Sequence, residues 1–270
     1  MNQSSYLIDT HAHLDDGQFP DVDAVIDLAV QQSVTRIINI GYGPERWEST
    51  IALARRRPEI GVVLGIHPLD ADQFSPAIFD ELVARINEVN PVGIGEAGID
   101  LFRDGPSLKL QRDAFMAQID LALARNLPLV IHQRSAETEV LEMLRAADPA
   151  LRVVLHSFDG SAASIGLALE RGWFIGVGGL MTRVASSGLR ELIRTLPRSA
   201  IVLETDSPYL VPAGIKNRRN HPGNIPIIAR ALADVRREAV EDIVQTTTEN
   251  AIRAFPGLKV AKAAHYEANR

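Results

Sequence analysis

Tyr-Leu-Ile-Asp-Thr-His-Ala-His, residues 6–13, is the stretch of the sequence from which the fold can be worked out. It is predicted to form a β-strand, in which side chains alternate between faces, so His11 and His13 point the same way as Asp9. Two imidazoles side by side on a buried face need partners for their nitrogens. Either a divalent metal ion or hydrogen-bonding residues of the core would supply those partners.

The rest of the chain repeats one apolar strand followed by one helix. Strands are predicted at residues 6–13, 36–42, 61–68, 91–100, 128–134, 152–157, 173–178 and 201–207. Helices are predicted at residues 21–33, 45–57, 76–89, 107–126, 136–147, 162–171, 188–196, 225–237 and 239–254, the fourth with Leu110, Ala114, Ile119 and Leu123 turned inward. This alternation predicts a parallel sheet of the α/β class, and eight strands predict its closure into a (β/α)8 TIM barrel.

The composition is that of an ordinary globular protein, with 46% hydrophobic and 23% charged residues among 270. No linker or change of composition divides the chain, so we expect one barrel domain, residues 1–258, and a polar tail, residues 259–270. The sequence has no cysteine, which excludes disulfides and thiolate ligands. A bound metal would therefore be held by imidazole and carboxylate groups, which suit Mg, Mn or Zn.

Charge and hydropathy restrict the partners that the chain could have. The formal net charge of −6 is unlike that of a protein that grips a duplex through a broad basic face, but it leaves a nucleic-acid substrate open. We find no signal-peptide pattern at the amino terminus and no apolar run long enough to span a membrane. We therefore expect a cytoplasmic protein with no membrane association, and nothing in the sequence points to an obligate protein partner.

The chemistry is predicted to lie at the carboxyl ends of the strands, where the active sites of such barrels are found. The candidate side chains at strand ends are His11, His13, His67, Glu96, His132, His156 and Asp206. They exceed what one tetrahedral metal needs, so we predict two divalent ions with a shared hydroxide as the nucleophile. Glu96, opposite the first strand, is placed to bridge the ions, and Asp206 could both bind metal and accept the proton of the attacking water.

Seven motifs occur in order from Asp9 to about Phe255: DTHAHL, GIHP, GEAGID, VIHQR, LHSFDG, LETDSPYL and RRNHPGN. They resemble the successive signatures of the TatD family, deoxyribonuclease-like metal-dependent hydrolases of the amidohydrolase superfamily. The resemblance implies that one metal is held by His11, His13 and Asp206, and the second by His132 and His156, with Glu96 as the bridge. It also implies that His67, Arg134, Asn220 and the loop after strand eight face the substrate.

Several positions near these motifs have more than one interpretation. The basic turn at residues 216–219 is either a solvated surface or a substrate contact, and in the second case Arg218 and Arg219 would bind phosphate. Arg134 is either a structural arginine or a phosphate contact. Glu204 could support a histidine ligand from behind or be paired in the barrel wall.

Two departures from the family pattern lie on the substrate side. Leu101-Phe102 stands where an aromatic pair usually follows the fourth strand, and His221 replaces an acidic residue. Neither position belongs to the expected ligand set. We therefore expect the metal site to be kept and the substrate preference to remain open.

The sequence thus predicts a divalent-metal-dependent phosphodiesterase, a deoxyribonuclease that works from an end of DNA through a metal-bound hydroxide, with Asp206, Glu96 and His67 in catalysis. One alternative is an amide or ester hydrolase, such as a D-aminoacyl-tRNA deacylase, because the same fold serves many bonds. Another is a metal-binding scaffold without activity. A PHP-type phosphoesterase would explain HAHLDDG at residues 11–17 but neither LETDSPYL nor eight strands.

Overall fold

Eight parallel strands form one sheet in which each strand is hydrogen-bonded to the next along the chain. They are β1 Leu7–Ala12, β2 Val34–Gly41, β3 Ile60–Leu64, β4 Gly93–Asp100, β5 Leu129–Arg134, β6 Val153–Leu155, β7 Phe174–Val177 and β8 Ile201–Leu203. A bridge between Ala12 and Ser207 joins the segment after the last strand to the end of the first strand, so the sheet forms a nearly closed barrel. The predicted TIM barrel is confirmed.

Nine α-helices alternate with the strands or follow them in the described part of the chain. They are α1 Val22–Gln31, α2 Pro44–Arg56, α3 Pro76–Val89, α4 Leu108–Arg125, α5 Glu137–Ala146, α6 Ala162–Arg171, α7 Ser187–Thr195, α8 Ile225–Arg236 and α9 Val240–Ala254. Their bounds agree with the predicted ones to within about two residues, because helical periodicity and the Ser, Asp and Pro residues at their starts are local signals.

This computed structural model describes residues 6–216 and 218–259. Asn217 of the basic turn and residues 260–270 of the predicted tail lie outside the described residues, and the domain boundary at residue 258 stays a prediction. No helix among the described residues combines the length and the apolar character that a membrane crossing requires.

The interior of the barrel is apolar at the end where the strands begin. Ile8, Ile38, Val63 and other branched side chains of the strands pack inside it, together with Phe255 after α9. Phe255 is fully buried, close to the start of β4. Because this end is filled by side chains, only the opposite end of the barrel can accommodate polar groups and a substrate.

A buried carboxylate closes the seam between β8 and β1. Asp9 is 0% exposed and accepts hydrogen bonds from the backbone nitrogen of Thr205 at 2.9 Å and from its hydroxyl at 2.5 Å. One residue further on, the backbone nitrogen of Asp206 donates to the carbonyl of His11 at 2.9 Å. Because β8 ends at Leu203, these bonds take the place of regular hydrogen bonds between paired strands. They position Asp206 beside His11 and His13.

Candidate metal centre

The six predicted metal ligands meet at the carboxyl end of the barrel. On one side, Nε2 of His11 and Nε2 of His13 are 3.1 Å apart. Oε2 of Glu96 lies 3.4 Å and 3.8 Å from these two nitrogens, and Oδ1 of Asp206 lies 3.9 Å and 3.3 Å from them. Nitrogen and carboxylate donors therefore surround one point, as a metal site requires.

A second group of donors lies on the other side of Glu96. Its Oε1 is 2.7 Å from Nδ1 of His132 and 3.6 Å from Nε2 of His156. The two oxygens of one carboxylate thus face two different sets of imidazoles. Burial raises the pKa of Glu96, but His156 and His11 hold that pKa well below its ordinary range, so the group is ionised.

The donor set fits divalent cations. Two neutral imidazole nitrogens 3.1 Å apart, as in His11 and His13, repel each other through their lone pairs unless a proton or a cation lies between them. Glu96 and Asp206 bring two negative charges to the same place, and buried charges are paired or bind metal. A divalent cation would satisfy both requirements at once.

In three of the histidines, the ring nitrogen that faces away from the centre (the outer nitrogen) lies against a hydrogen-bond acceptor. This contact determines which nitrogen of a neutral ring carries the proton, and so whether the nitrogen that faces the centre (the inner nitrogen) can bind a metal. These contacts are His13 Nδ1 with the carbonyl of Ile40 at 3.4 Å, His132 Nε2 with Asp100 Oδ2 at 3.0 Å, and His156 Nδ1 with Glu204 Oε1 at 3.1 Å. Burial lowers the pKa of these three rings, but the carboxylates beside them raise it overall, so a metal ion would displace a proton from the inner nitrogen. Once the ring is neutral, the outer acceptor holds the remaining proton on the outer nitrogen and leaves the inner lone pair directed at the centre. This is the arrangement that a metal-binding histidine needs.

His67 has the opposite arrangement. Its Nδ1 accepts a hydrogen bond from the backbone nitrogen of Leu69 at 3.1 Å, so a neutral ring carries its proton on Nε2. Burial lowers the pKa of His67 to about 3, which keeps the ring neutral. Nε2 lies 3.2 Å from Nδ1 of His132 and 3.9 Å from Oε1 of Glu96. His67 therefore presents an N–H donor, not a lone pair, to the centre, which favours the predicted substrate contact over metal binding.

The backbone at Asp206 is strained. Its φ is +57°, in the left-handed region that residues other than glycine rarely adopt. Such a conformation costs on the order of 1–3 kcal/mol and is found where a site needs it. The predicted strand 201–207 is too long, because the chain leaves β8 after Leu203 and turns at Asp206, directing its carboxylate at His13.

Arg134 and the basic turn lie on two sides of the rim. The guanidinium carbon of Arg134 is 4.0 Å from the centre of the Phe102 ring, and the side chain makes no hydrogen bond or ion pair with any described residue. Arg218 is exposed, whereas Arg219 donates to the backbone carbonyl of Gln18, in the loop after β1. Arg134 and Arg218 are thus accessible, and Arg219 ties two loops of the rim together.

The position of Asn220 differs from the expected one. The residue is 0% exposed, and its amide nitrogen donates to the carbonyl of Thr205 at 2.8 Å and to that of Leu210 at 3.3 Å. Its amide oxygen accepts from the backbone nitrogen of His221 and from the side chain of Asn224, both at 2.9 Å. Because all of these partners belong to the segment after β8, Asn220 holds that segment in shape and does not face the substrate.

Two residues that the sequence left undecided or unassigned support histidines of the centre. Glu204 is 1% exposed beside His156, and a Cβ added to Gly176 would lie only 2.1 Å from its Oε2, so glycine is required for the carboxylate to fit. Asp100, 1% exposed, was not singled out by sequence. Its spacing of four residues from Glu96 on one strand, which places both on one face, was the available signal.

Known proteins are similar to this chain in sequence and in fold. The family model described as TatD related DNase matches residues 8–256. The uncharacterized metal-dependent hydrolase TatD of Mycobacterium tuberculosis is 33% identical, over 92% of this chain and 97% of its own length. The 3'-5' ssDNA/RNA exonuclease TatD of Salmonella typhimurium is 32% identical, over 92% and 98%. The crystal structure of the TatD homologue YJJV of Escherichia coli superposes with a TM-score of 0.86 at 30% identity, over 93% and 98%.

Proposed function

This chain belongs to the TatD related DNase family of metal-dependent hydrolases, and we propose that it hydrolyses the phosphodiester bonds of DNA from an end of the strand. The proposal includes two divalent ions, one held by His11, His13 and Asp206 and the other by His132 and His156. Mg, Mn and Zn all suit these ligands.

One observation carries the proposal: the two oxygens of Glu96 face separate groups of histidines. A carboxylate in that position can bridge two cations a few ångströms apart, which is the arrangement that suits displacement at a phosphate. Bound there, divalent ions would neutralise the charge of the phosphate and make a water molecule more acidic.

The residues around the centre have separate roles in proton transfer and in binding the phosphates of the substrate. In this proposal Asp206, whose Oδ1 lies 3.3 Å from Nε2 of His13, accepts the proton of the attacking water. His67 donates from Nε2 to an oxygen of the phosphate, because its Nδ1 is already engaged with Leu69. Arg134 and Arg218 supply positive charge at the rim, where the phosphates of the neighbouring nucleotides would lie.

The nuclease assignment is supported by the family description and by the Salmonella typhimurium relative, a named exonuclease. The ligand set alone does not distinguish a phosphodiester from an amide or another ester, because the same barrel serves many bonds. The choice of bond therefore has to be tested directly.

The test is a hydrolysis panel with protein stripped of metal by chelation. Single-stranded DNA, duplex DNA, RNA, a small phosphodiester and a D-aminoacyl-tRNA are offered with Mg, Mn or Zn added in turn. We expect no turnover without metal, and release of mononucleotides from DNA when a divalent ion is restored. Full turnover by protein that contains no metal would overturn the mechanism, and hydrolysis of the aminoacyl ester alone would overturn the nuclease assignment.

A further inference from the structure

A phenylalanine stands exposed at the rim of the metal centre. Phe102, in the loop after β4, is 64% exposed, although large aromatic side chains gain most when they are buried. Its neighbour Leu101 is 42% exposed. No role was assigned to either residue from the sequence, and neither takes part in the chemistry described above.

One face of the Phe102 ring is covered and the other is open. The guanidinium group of Arg134 lies over the ring with its central carbon 4.0 Å from the ring centre, a cation–π contact. Because the ring is 64% exposed with this contact in place, its opposite face lies in solvent. The donors of Arg134 make no hydrogen bond with a described residue, although its charge interacts with the Asp159 carboxyl group, and they remain available for a phosphate.

The loop that carries Phe102 is held to the metal centre by one carboxylate. Oδ1 of Asp100 accepts from the backbone nitrogens of Phe102 at 2.9 Å and Arg103 at 3.0 Å, while Oδ2 lies 3.0 Å from Nε2 of His132. Asp100 thus links the backbone of the Phe102 loop to a histidine of the centre.

Arg134, which covers one face of the Phe102 ring, also lies close to His132 in the chain. Arg134 follows His132 by two residues on β5, so the two side chains share a face of the strand. The backbone of both Phe102 and Arg134 is therefore tied to that of His132, and a nucleotide bound to their side chains would lie next to the centre.

We propose that the open face of Phe102 stacks on an unpaired nucleobase of the substrate while Arg134 binds an adjoining phosphate. This inference rests on the proposed nuclease function and adds to it two residues that position the base and phosphate at the end of the strand. Every base has a π-face, so such a stack is tolerant of sequence. It requires only that the base at the end of the strand is unpaired.

The test compares Phe102→Leu, which keeps an apolar side chain without a π-face, with Phe102→Tyr, which keeps the ring. Leu169→Ala serves as the control, because Leu169 is another exposed apolar residue, 41% exposed on α6. Each metal-loaded protein is assayed on a single-stranded oligonucleotide and on the same oligonucleotide with abasic residues at both ends.

On the intact oligonucleotide we expect Phe102→Leu to lower kcat/KM by about 5- to 150-fold, the effect of losing one base stack. Phe102→Tyr should restore it, and Leu169→Ala should match the wild type. On the abasic oligonucleotide, all four proteins should be alike. An equal loss on both substrates, or no loss on either, would overturn the stacking role.

A binding measurement keeps this result separate from the nuclease assignment. A single-stranded oligonucleotide with 2-aminopurine at its ends loses fluorescence when that base stacks on an aromatic ring. We expect quenching by the wild type and by Phe102→Tyr but not by Phe102→Leu. Quenching without hydrolysis would support the stack and contradict the nuclease function, whereas hydrolysis without quenching would contradict the stack alone.

Discussion

At the scale of single residues, the expected function of four of the site histidines follows from the atom that contacts the outer side of the ring. An acceptor behind the ring, such as Asp100 behind His132, leaves a lone pair directed at the centre. A donor behind the ring, such as the backbone nitrogen of Leu69 behind His67, leaves an N–H there instead. Of the five histidines at strand ends, three are thus assigned as candidate ligands and one as a hydrogen-bond donor, whereas Nδ1 of the fifth, His11, has no hydrogen-bond partner among the described residues.

Asp206→Asn tests whether Asp206 acts as a base as well as a ligand. Asn keeps the shape and one coordinating oxygen, but it removes the charge and nearly all of the basicity. We expect kcat with saturating metal to fall by about 10²–10⁴-fold, the range for a lost general base, and to lie in the lower part of it. Bound metal and kcat are measured together.

His13→Ala is the matched control for this variant, because its loss of activity should follow its metal occupancy. If fully metallated Asp206→Asn turned over at nearly the normal rate, Asp206 would be a ligand only. If instead its activity were recovered in step with metal content, as in the control, the general-base role would likewise be excluded.

At the scale of elements, helix α4 departs from its local apolar pattern for a tertiary reason. Leu110 of α4 was predicted to turn inward but is 36% exposed, and Gln111 is buried in its place. The amide of Gln111 accepts from the backbone nitrogen of Asp100 at 2.9 Å and donates to its carbonyl at 3.1 Å. Gln111 is buried because it supplies hydrogen bonds to the backbone of Asp100 at the end of β4. Leaving these buried backbone groups unpaired would cost more free energy than leaving Leu110 partly exposed.

The loop after β8 gives a prediction for its two arginines. Arg218→Ala should raise KM for DNA. It should also reduce the magnitude of the slope in a plot of the logarithm of the binding constant against the logarithm of the salt concentration by about 1, because one phosphate contact and the release of its counterion are lost. Turnover of a small phosphodiester should not change. Arg219→Ala should in addition lower the protection of the loop from hydrogen exchange, because Arg219 donates to the carbonyl of Gln18.

Arg56→Ala provides the control for these variants, since Arg56 lies in the last turn of α2, at the other end of the barrel. A comparable loss of Arg218→Ala on DNA and on the small phosphodiester would mean that Arg218 supports the fold of the rim instead of binding the substrate.

At the scale of the whole molecule, the two ends of the barrel have different tasks. The end where the strands begin is filled by apolar side chains, including the fully buried Phe255. The other end holds the buried carboxylates Asp9, Glu96, Asp100 and Glu204, which cost stability unless they are bonded. A barrel can carry such a costly site because the core at its opposite end supplies the stability.

Phe255→Ala should therefore separate stability from activity. Removing this ring leaves a cavity and should lower the free energy of unfolding by about 3–5 kcal/mol. At a temperature where the variant is still folded, metal content and kcat should equal those of the wild type. Denaturant unfolding and single-temperature kinetics measure the two quantities, and a loss of kcat in the folded variant would contradict the division of tasks between the ends.

The sequence by itself determined the alternation of strands and helices, the barrel and the family, because periodicity and ordered motifs are properties of neighbouring residues. It also pointed to the side chains that gather at the strand ends. Only the tertiary structure decided that Asn220 turns inward, that Asp100 holds both His132 and the Phe102 loop, and that His67 presents a donor. These outcomes depend on contacts between atoms far apart in the chain, such as those that join residues 100 and 132, and no local pattern records them.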